Sequence, residues 1–356
     1  MTTIPTSAFD SSVAYILLGI RNKAAEDGVT QQSAAARILQ GLVDAGVETV
    51  GPPQDFLLSM KYDTGMIVIG SSFQSLQGTK GDDVMWGGAD SSISGGDGND
   101  ILKGGWGSTI SGGAGDDVIF GDYRTTISGG SGDDYIDASF RGIANGDEGN
   151  DKIEGSESKI TDLAGNNVIR GRLGSVIVVG DGNNDITADN GSTVQTGNGN
   201  DTIELSMKSS AKAGSGNDGI RASFGSLADG GAGDDVMSAA YGSEVIGGLG
   251  NDKIFLETGS MAYFAAGDGH DTVTVGTSDN VLKFGNGLTA NKMHVEAIAG
   301  GAIITFEGSN DKITVDFLRQ STSSLTIAFQ DGTTQTIKGF KPTIPASVYA
   351  NAYSQF

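Results

Sequence analysis

The sequence predicts a mainly-β fold: a right-handed parallel β-roll or solenoid of coils about 17 residues long, preceded by a small helical segment and closed by an antiparallel β cap. Three observations carry the prediction. Glycine supplies 58 of 356 residues, more than twice its usual share, which marks a repeat with many turns. Hydrophobic residues make up 37% and aromatics 7%, too little for a broad three-dimensional core but enough for a thin, stacked one. Acidic, hydroxyl and aliphatic residues also recur in register along more than half of the chain.

Residues 1–76 read as a helical hairpin followed by a strand link. The first helix is capped by Asp10 or Ser11 and carries Val13, Ile16, Leu17 and Ile20. The second spans Thr30 to Ala45, with Ile38, Leu39, Leu42 and Val43 on one face and Gly46 as its stop. Glu26, Asp27 and Gly28 supply the turn between them, and Met66 to Ile69 reads as a strand. The apolar run Val13 to Ile20 follows an aspartate rather than basic residues, so it makes a poor secretory leader, and no stretch is long enough to span a membrane.

Residues 77–275 form the roll. Its first column is Asp83, Asp100, Asp117, Asp134, Asp151, Asn167, Asn184, Asp201, Asp218, Asp235, Asp252 and Asp271. A second column, Ser91, Ser108, Thr125, Gly142, Ser158, Ser175, Ser192, Ser209, Ser226, Ser243 and Ser260, contracts by one residue where the first does, so both belong to one physical coil. Two residues beyond each column stands an aliphatic one, typified by Leu102, Ile119 and Ile136 after the acids and by Ile93, Ile110 and Ile127 after the serines. Each coil therefore has two short strands with one inward aliphatic apiece. The serine hydroxyl is read as structural, bonding into the turn or to the next coil, with ligand or ice binding as the rival reading.

Net charge is −22, from 44 acidic and 22 basic residues, which disfavours nucleic acid as a partner and favours cations. Absence of cysteine excludes disulfides and thiolate metal sites, leaving oxygen as the ligand atom for a hard cation.

The segment Gly112-Gly113-Ala114-Gly115-Asp116-Asp117-Val118-Ile119-Phe120 resembles the glycine- and aspartate-rich nonapeptide of the RTX (repeats-in-toxin) family, whose members include type I secreted bacterial proteins. The resemblance implies several Ca2+ ions held between stacked turns by the sixth-position aspartate and backbone carbonyls. On this sequence the residues implied are Asp83, Gly98, Asp100, Gly115, Asp117, Gly132, Asp134, Gly149, Asp151, Gly199, Asp201, Gly216, Asp218, Gly233, Asp235, Gly250, Asp252, Gly269 and Asp271. Family rolls carry such turns on both edges. Here each coil pairs one with a short turn such as Trp106-Gly107-Ser108, so the ladder is expected on one edge only. Neutral Asn167 and Asn184, with Asp162-Leu163 in place of paired glycines, predict a weak seam between a run from Asp83 to Asp151 and another from Asp201 to Asp271.

Stacked carboxylates repel, so the roll is expected to require Ca2+ for folding. Trp106, Tyr123, Phe140, Phe224 and Tyr241 recur at the repeat step; they are expected to close the end of the flat core, with sugar or subunit binding as the alternative. Arg124 and Arg141 beside them are read either as contacts for acidic glycans or as neighbours of carboxylates.

Residues 276–356 lose the repeat and alternate as strands, as in Lys312-Ile313-Thr314-Val315-Asp316-Phe317, with a turn at Asp331-Gly332. They resemble the β cap that follows RTX repeats and end in a segment similar to an uncleaved type I secretion signal, which implies a secreted or cell-surface location. No His-Glu-x-x-His helix or Gly-x-Ser-x-Gly elbow occurs, and the two histidines, His270 and His294, lack evident partners. The expected function is that of a calcium-dependent structural or interaction protein, of surface layer, biofilm matrix or adhesin type, with self-assembly or a cell-surface glycan as further partners. The alternative is a secreted polysaccharide-modifying enzyme or hydrolase accessory.

Overall fold

The computed structural model describes residues 57–62 and 65–338, apart from 278, 286 and 319–323. The expected N-terminal helices and C-terminal secretion signal lie outside the described residues. The chain divides into two compact units, residues 1–171 and 172–356. Both are parallel β-solenoids with coils of about 17 residues, and antiparallel strands follow near the C-terminus.

The first unit opens with an antiparallel pair, Leu57–Tyr62 against Gly65–Gly70, so the expected Met66–Ile69 strand is present. Gly65–Gly70 then pairs in parallel with Val84–Gly87 and starts the stack. From there each coil runs strand, short turn, strand, acidic turn. Val68, Met85, Leu102, Ile119, Ile136 and Ile153 stack in register along one sheet. Leu76, Ile93, Ile110, Ile127, Ala144 and Ile160 stack along the other. All are buried. The strands form because alternate residues face this two-column core while their neighbours face solvent, a burial alternation seen in Thr109–Ala114.

The second unit repeats the plan. Ile186, Ile203, Ile220, Met237, Ile254 and Val273 make one buried column. Ile177, Val194, Ala211, Ala228, Val245 and Ala262 make the other. Parallel stacking continues beyond residue 275: Lys312–Phe317 lies on His270–Val275, and Ser324–Phe329 on Asn280–Phe284. Antiparallel strands Met293–Ile298, Gly301–Phe306 and Thr334–Lys338 then cover the two sheets. Phe264, Phe284, Phe306 and Phe329 form a buried ring cluster beneath them, with Phe284 and Phe306 centroids 5.0 Å apart. This apolar plug covers what would otherwise be an open end of the stack.

Candidate metal centre

At the acidic turns, the sixth-position side chain points inward beneath the preceding coil. Asp117 Oδ1 accepts the Asp100 N–H at 2.7 Å, and Asp134 Oδ1 accepts that of Asp117 at 2.8 Å. The same bond links Asp83 to Asp100, Asp134 to Asp151 and Asp151 to Asn167. In the second unit it runs from Asn184 through Asp201, Asp218, Asp235 and Asp252 to Asp271. Backbone geometry thus fixes one carboxylate oxygen of each rung.

At Asp83 the other oxygen accepts from Thr79, but at eight other rungs it has no partner. Oδ2 of Asp100, Asp117, Asp134, Asp151, Asp201, Asp218, Asp235 and Asp252 is buried without a hydrogen-bond partner. An ionised oxygen so placed is costly unless a proton or a cation meets it. Burial pushes Asp117 up to about 7, Asp100 to about 8 and Asp134 to about 9, against the opposing pull of the backbone N–H bond. In the second unit burial raises Asp235 and Asp271 to about 7, and Asp218 and Asp252 to about 6.

Glycine at the first position of the turn completes the geometry. A Cβ on Gly95 would collide with Asp100 Oδ2 and crowd the Gly112 carbonyl oxygen of the next coil. One on Gly112 would meet Asp117 Oδ2 and the Gly129 carbonyl, and one on Gly230 would meet Asp235 Oδ2 and the Gly247 carbonyl. Oxygens from two coils therefore converge over each bare Cα. Among the described residues no group of three or more His, Cys, Asp and Glu side chains could hold a metal. The centre instead combines one carboxylate per coil with backbone carbonyls, a hard-oxygen donor set suited to Ca2+.

Not every rung fits. Val179, Thr196 and Ala213 take the first position in the early coils of the second unit, where the earlier coils have glycine. All three are buried, and Thr196 Oγ1 donates to the Ala213 carbonyl, the counterpart of the Gly112 and Gly129 carbonyls. Asn184 Nδ2 donates to the Gly182 carbonyl at 3.1 Å and to Asp201 Oδ1 at 2.9 Å. These side-chain donors hold the oxygens that a cation would otherwise gather. In this stretch the donors meet backbone carbonyls and Asp201 Oδ1 but leave Asp201 Oδ2 without a partner.

The fourth-position glycines of the expected ligand set serve the stack directly. Gly115, at φ 122°, brings its Cα against the Gly98 carbonyl, and Gly132 meets Gly115 in the same way. Gly149, Gly216, Gly233, Gly250 and Gly269 each lie over the carbonyl of the equivalent glycine one coil back, and Gly199 lies over that of Gly182. A side chain at these positions would strain the backbone and part the coils.

Two features escaped the sequence reading. Fifth-position residues form an outer ladder of opposite polarity: Asn99 Oδ1 accepts the Asp116 N–H, and Asp116 Oδ1 the Asp133 N–H, both at 2.9 Å. Its signal, an unbroken run of Asp or Asn just before the acidic column from Asp82 to Asn251, was there to be read. Asp311, from the cap, accepts the Gly267 N–H at 3.0 Å and the Gly269 N–H at 3.1 Å, closing the last turn. No periodicity points to it.

The serine column lies at the opposite ends of the strands. Ser192, Ser209, Ser226 and Ser243 each donate Oγ to the carbonyl three residues back, at 2.6–2.7 Å. Ser175 N–H donates to Ser192 Oγ of the next coil, and Ser226 N–H to Ser243 Oγ. The aromatics do not close the core. Phe224 and Tyr241 adopt φ of 54° and 53°, are more than half exposed, and stack on each other at 4.8 Å with 4° between their planes. Left-handed turn residues project outward, so their rings meet along the edge rather than inside. Arg141 is engaged by Glu157 at 2.6 Å and donates to Tyr123 Oη at 2.9 Å, matching the carboxylate-neighbour reading.

A profile of the RTX calcium-binding nonapeptide repeat matches the chain four times, at residues 70–91, 90–108, 108–122 and 124–140. A search of curated proteins gave no match. The matched stretch contains the glycine cradles at Gly78, Gly95, Gly112 and Gly129, where sequence pattern and oxygen geometry coincide. Residues 70–140 therefore carry RTX calcium-binding nonapeptide repeats, and calcium is the cation that such repeats bind.

Proposed function

We propose that this chain is a secreted, calcium-dependent structural or interaction protein, of the surface-layer, biofilm-matrix or adhesin kind, that folds on meeting extracellular calcium and then assembles. The observation that carries the reading is the file of buried, partnerless Asp Oδ2 atoms over the glycine cradles. Such a file is unfavourable while ionised and uncompensated, so calcium binding is coupled to folding. Extracellular calcium modules bind at roughly 10⁻⁴–10⁻³ M, so a low-calcium cytosol keeps such a chain unfolded and export-competent through a type I route.

A non-enzymatic role is supported by where the histidines lie. His270 Nε2 is 3.0 Å from the Asn310 carbonyl at a turn, and His294 is exposed on a hairpin strand. The exposed Phe224–Tyr241 stack supplies a surface on which a sugar or a second copy would find aromatic faces.

Far-UV circular dichroism and light scattering across a calcium titration test the proposal. Strand content and particle size are expected to rise together. Unchanged strand content in chelator would remove the calcium-folding reading, and a strict monomer at all calcium levels would remove assembly. Binding to a glycan array that is lost with Phe224→Ala and Tyr241→Ala would select the adhesin form.

A further inference from the structure

The last glycine cradle of the first unit differs from those before it. Over Gly112 and Gly129 the converging oxygens are one carboxylate and one carbonyl. Over Gly146 they are two carboxylates, Asp151 Oδ2 and Asp162 Oδ2. Asp162 occupies the first turn position, the place of glycine in the earlier coils, and its side chain reaches back over Gly146 toward Asp151.

Asp162 is fully buried and Asp151 is 1% exposed. Neither Oδ2 has a donor from elsewhere in the described residues, and the two carboxyl groups lie within hydrogen-bonding reach of each other. The turn gives Asp162 only a long N–H contact, from Ala164 to Oδ1 at 3.4 Å. Asp147, on the same turn, adds negative charge nearby, while its own oxygens accept from Ser128 Oγ and Asn145 Nδ2. No cationic side chain is paired with Asp151, Asp162 or Asp147 among the described residues. Two buried carboxylate oxygens facing one space repel strongly unless something positive lies between them.

We propose that Asp162 is a calcium ligand, forming with Asp151 a two-carboxylate site over Gly146 that binds Ca2+ more tightly than the single-carboxylate rungs. Loss of the paired glycines at Asp162-Leu163, which reads in the sequence as a defect in the ladder, is on this view a gain of charge at its end. The proposal rests on the calcium reading of the ladder and adds a residue outside the nonapeptide pattern. Calcium affinity rises with the number of charged ligands, so this site fills first as calcium increases and seeds the coils before it.

Calcium calorimetry at neutral pH on the full chain compares wild type, Asp162→Asn, Asp162→Gly and Asp117→Asn. Wild type is expected to show a minor tight class above the main class. Asp162→Asn weakens that class tenfold or more, Asp162→Gly converts it to ordinary-rung affinity, and Asp117→Asn leaves it intact while removing an ordinary site. If both Asp162 variants titrate like wild type while Asp117→Asn does not, Asp162 is no ligand and the pair shares a proton instead, but the calcium ladder stands. If wild type takes up no calcium, the ladder reading itself fails. Should the variants not fold, anomalous diffraction from wild-type crystals soaked in Tb3+ decides: density between Asp151 and Asp162 is expected. Density at the Gly95 and Gly112 cradles with none there would overturn the proposal.

Discussion

Replacing Asp117 with asparagine should stabilise the metal-free roll while shrinking the stability that calcium adds. In the metal-free roll, burial raises Asp117 from 3.8 to about 7, so holding it ionised at about pH 8 costs about 4 kcal/mol. Asparagine removes that charge and keeps the Oδ1 that accepts the Asp100 N–H. Its amide also has a ready acceptor. Asn184 shows the arrangement, with Nδ2 donating to the carbonyl two residues back, and the equivalent carbonyl here belongs to Gly115.

Asp117→Asn should therefore stabilise the metal-free state by about 1–4 kcal/mol, the lower figure allowing for an amide bond that nets only about 1 kcal/mol. In saturating calcium the same change removes a charged ligand, and a tenfold weaker site takes about 1.4 kcal/mol from the stability that calcium adds. Urea titrations followed by circular dichroism, in chelator with a stabilising osmolyte and in millimolar calcium, read both arms. A loss of equal size in both conditions would refute the reasoning, because Oδ2 would then have no cation-directed role.

Three further outcomes follow from the same geometry. In chelator, acid should restore strand content. Folded-state values near 6 to 9, raised above 3.8, mean that protonation stabilises the fold fully below the unfolded value, and this is lost as pH rises through that window. With calcium present the dependence should reverse, as protons compete for Oδ2 and the half-saturating calcium concentration rises on acidification. Gly112→Ala sets a Cβ against Asp117 Oδ2 and the Gly129 carbonyl; calorimetry should show one bound ion fewer and melting a cost of about 1–3 kcal/mol. Ser209→Ala should cost about 1–2 kcal/mol equally with and without calcium, since Ser209 Oγ serves only the Ser206 carbonyl at 2.7 Å.

The family profile covers residues 70–140, and the coils after it depart from the pattern in ways that have structural consequences. Val179, Thr196 and Ala213 stand where the earlier coils have glycine, whereas Gly230 and Gly247 restore it. Calcium dependence is therefore expected to differ along the chain. The first unit carries cradles from Gly78 to Gly146, and the second unit begins with coils held by side-chain hydrogen bonds and buried apolar side chains.

The sequence by itself determined the coil, its length, and which residues of each coil form the core. Side chains alternate along a strand, and identical coils stack identical residues, so Leu102, Ile119 and Ile136 at a constant step could only be one buried column. It also determined that Asp and Ser mark the two kinds of turn, because both columns slip by one residue together. What it did not determine are relations between atoms of different coils. That the Gly95 Cα faces a carbonyl of Gly112 depends on the rise and register of the stack, which spacing within one coil does not contain. For the same reason the meaning of Asp162 was hidden: in sequence it replaces a glycine, and in the fold it delivers a second carboxylate over Gly146. The outward aromatics and the cap's Asp311 were likewise settled by turn conformation and by a contact across more than forty residues, where tertiary packing alone brings the groups together.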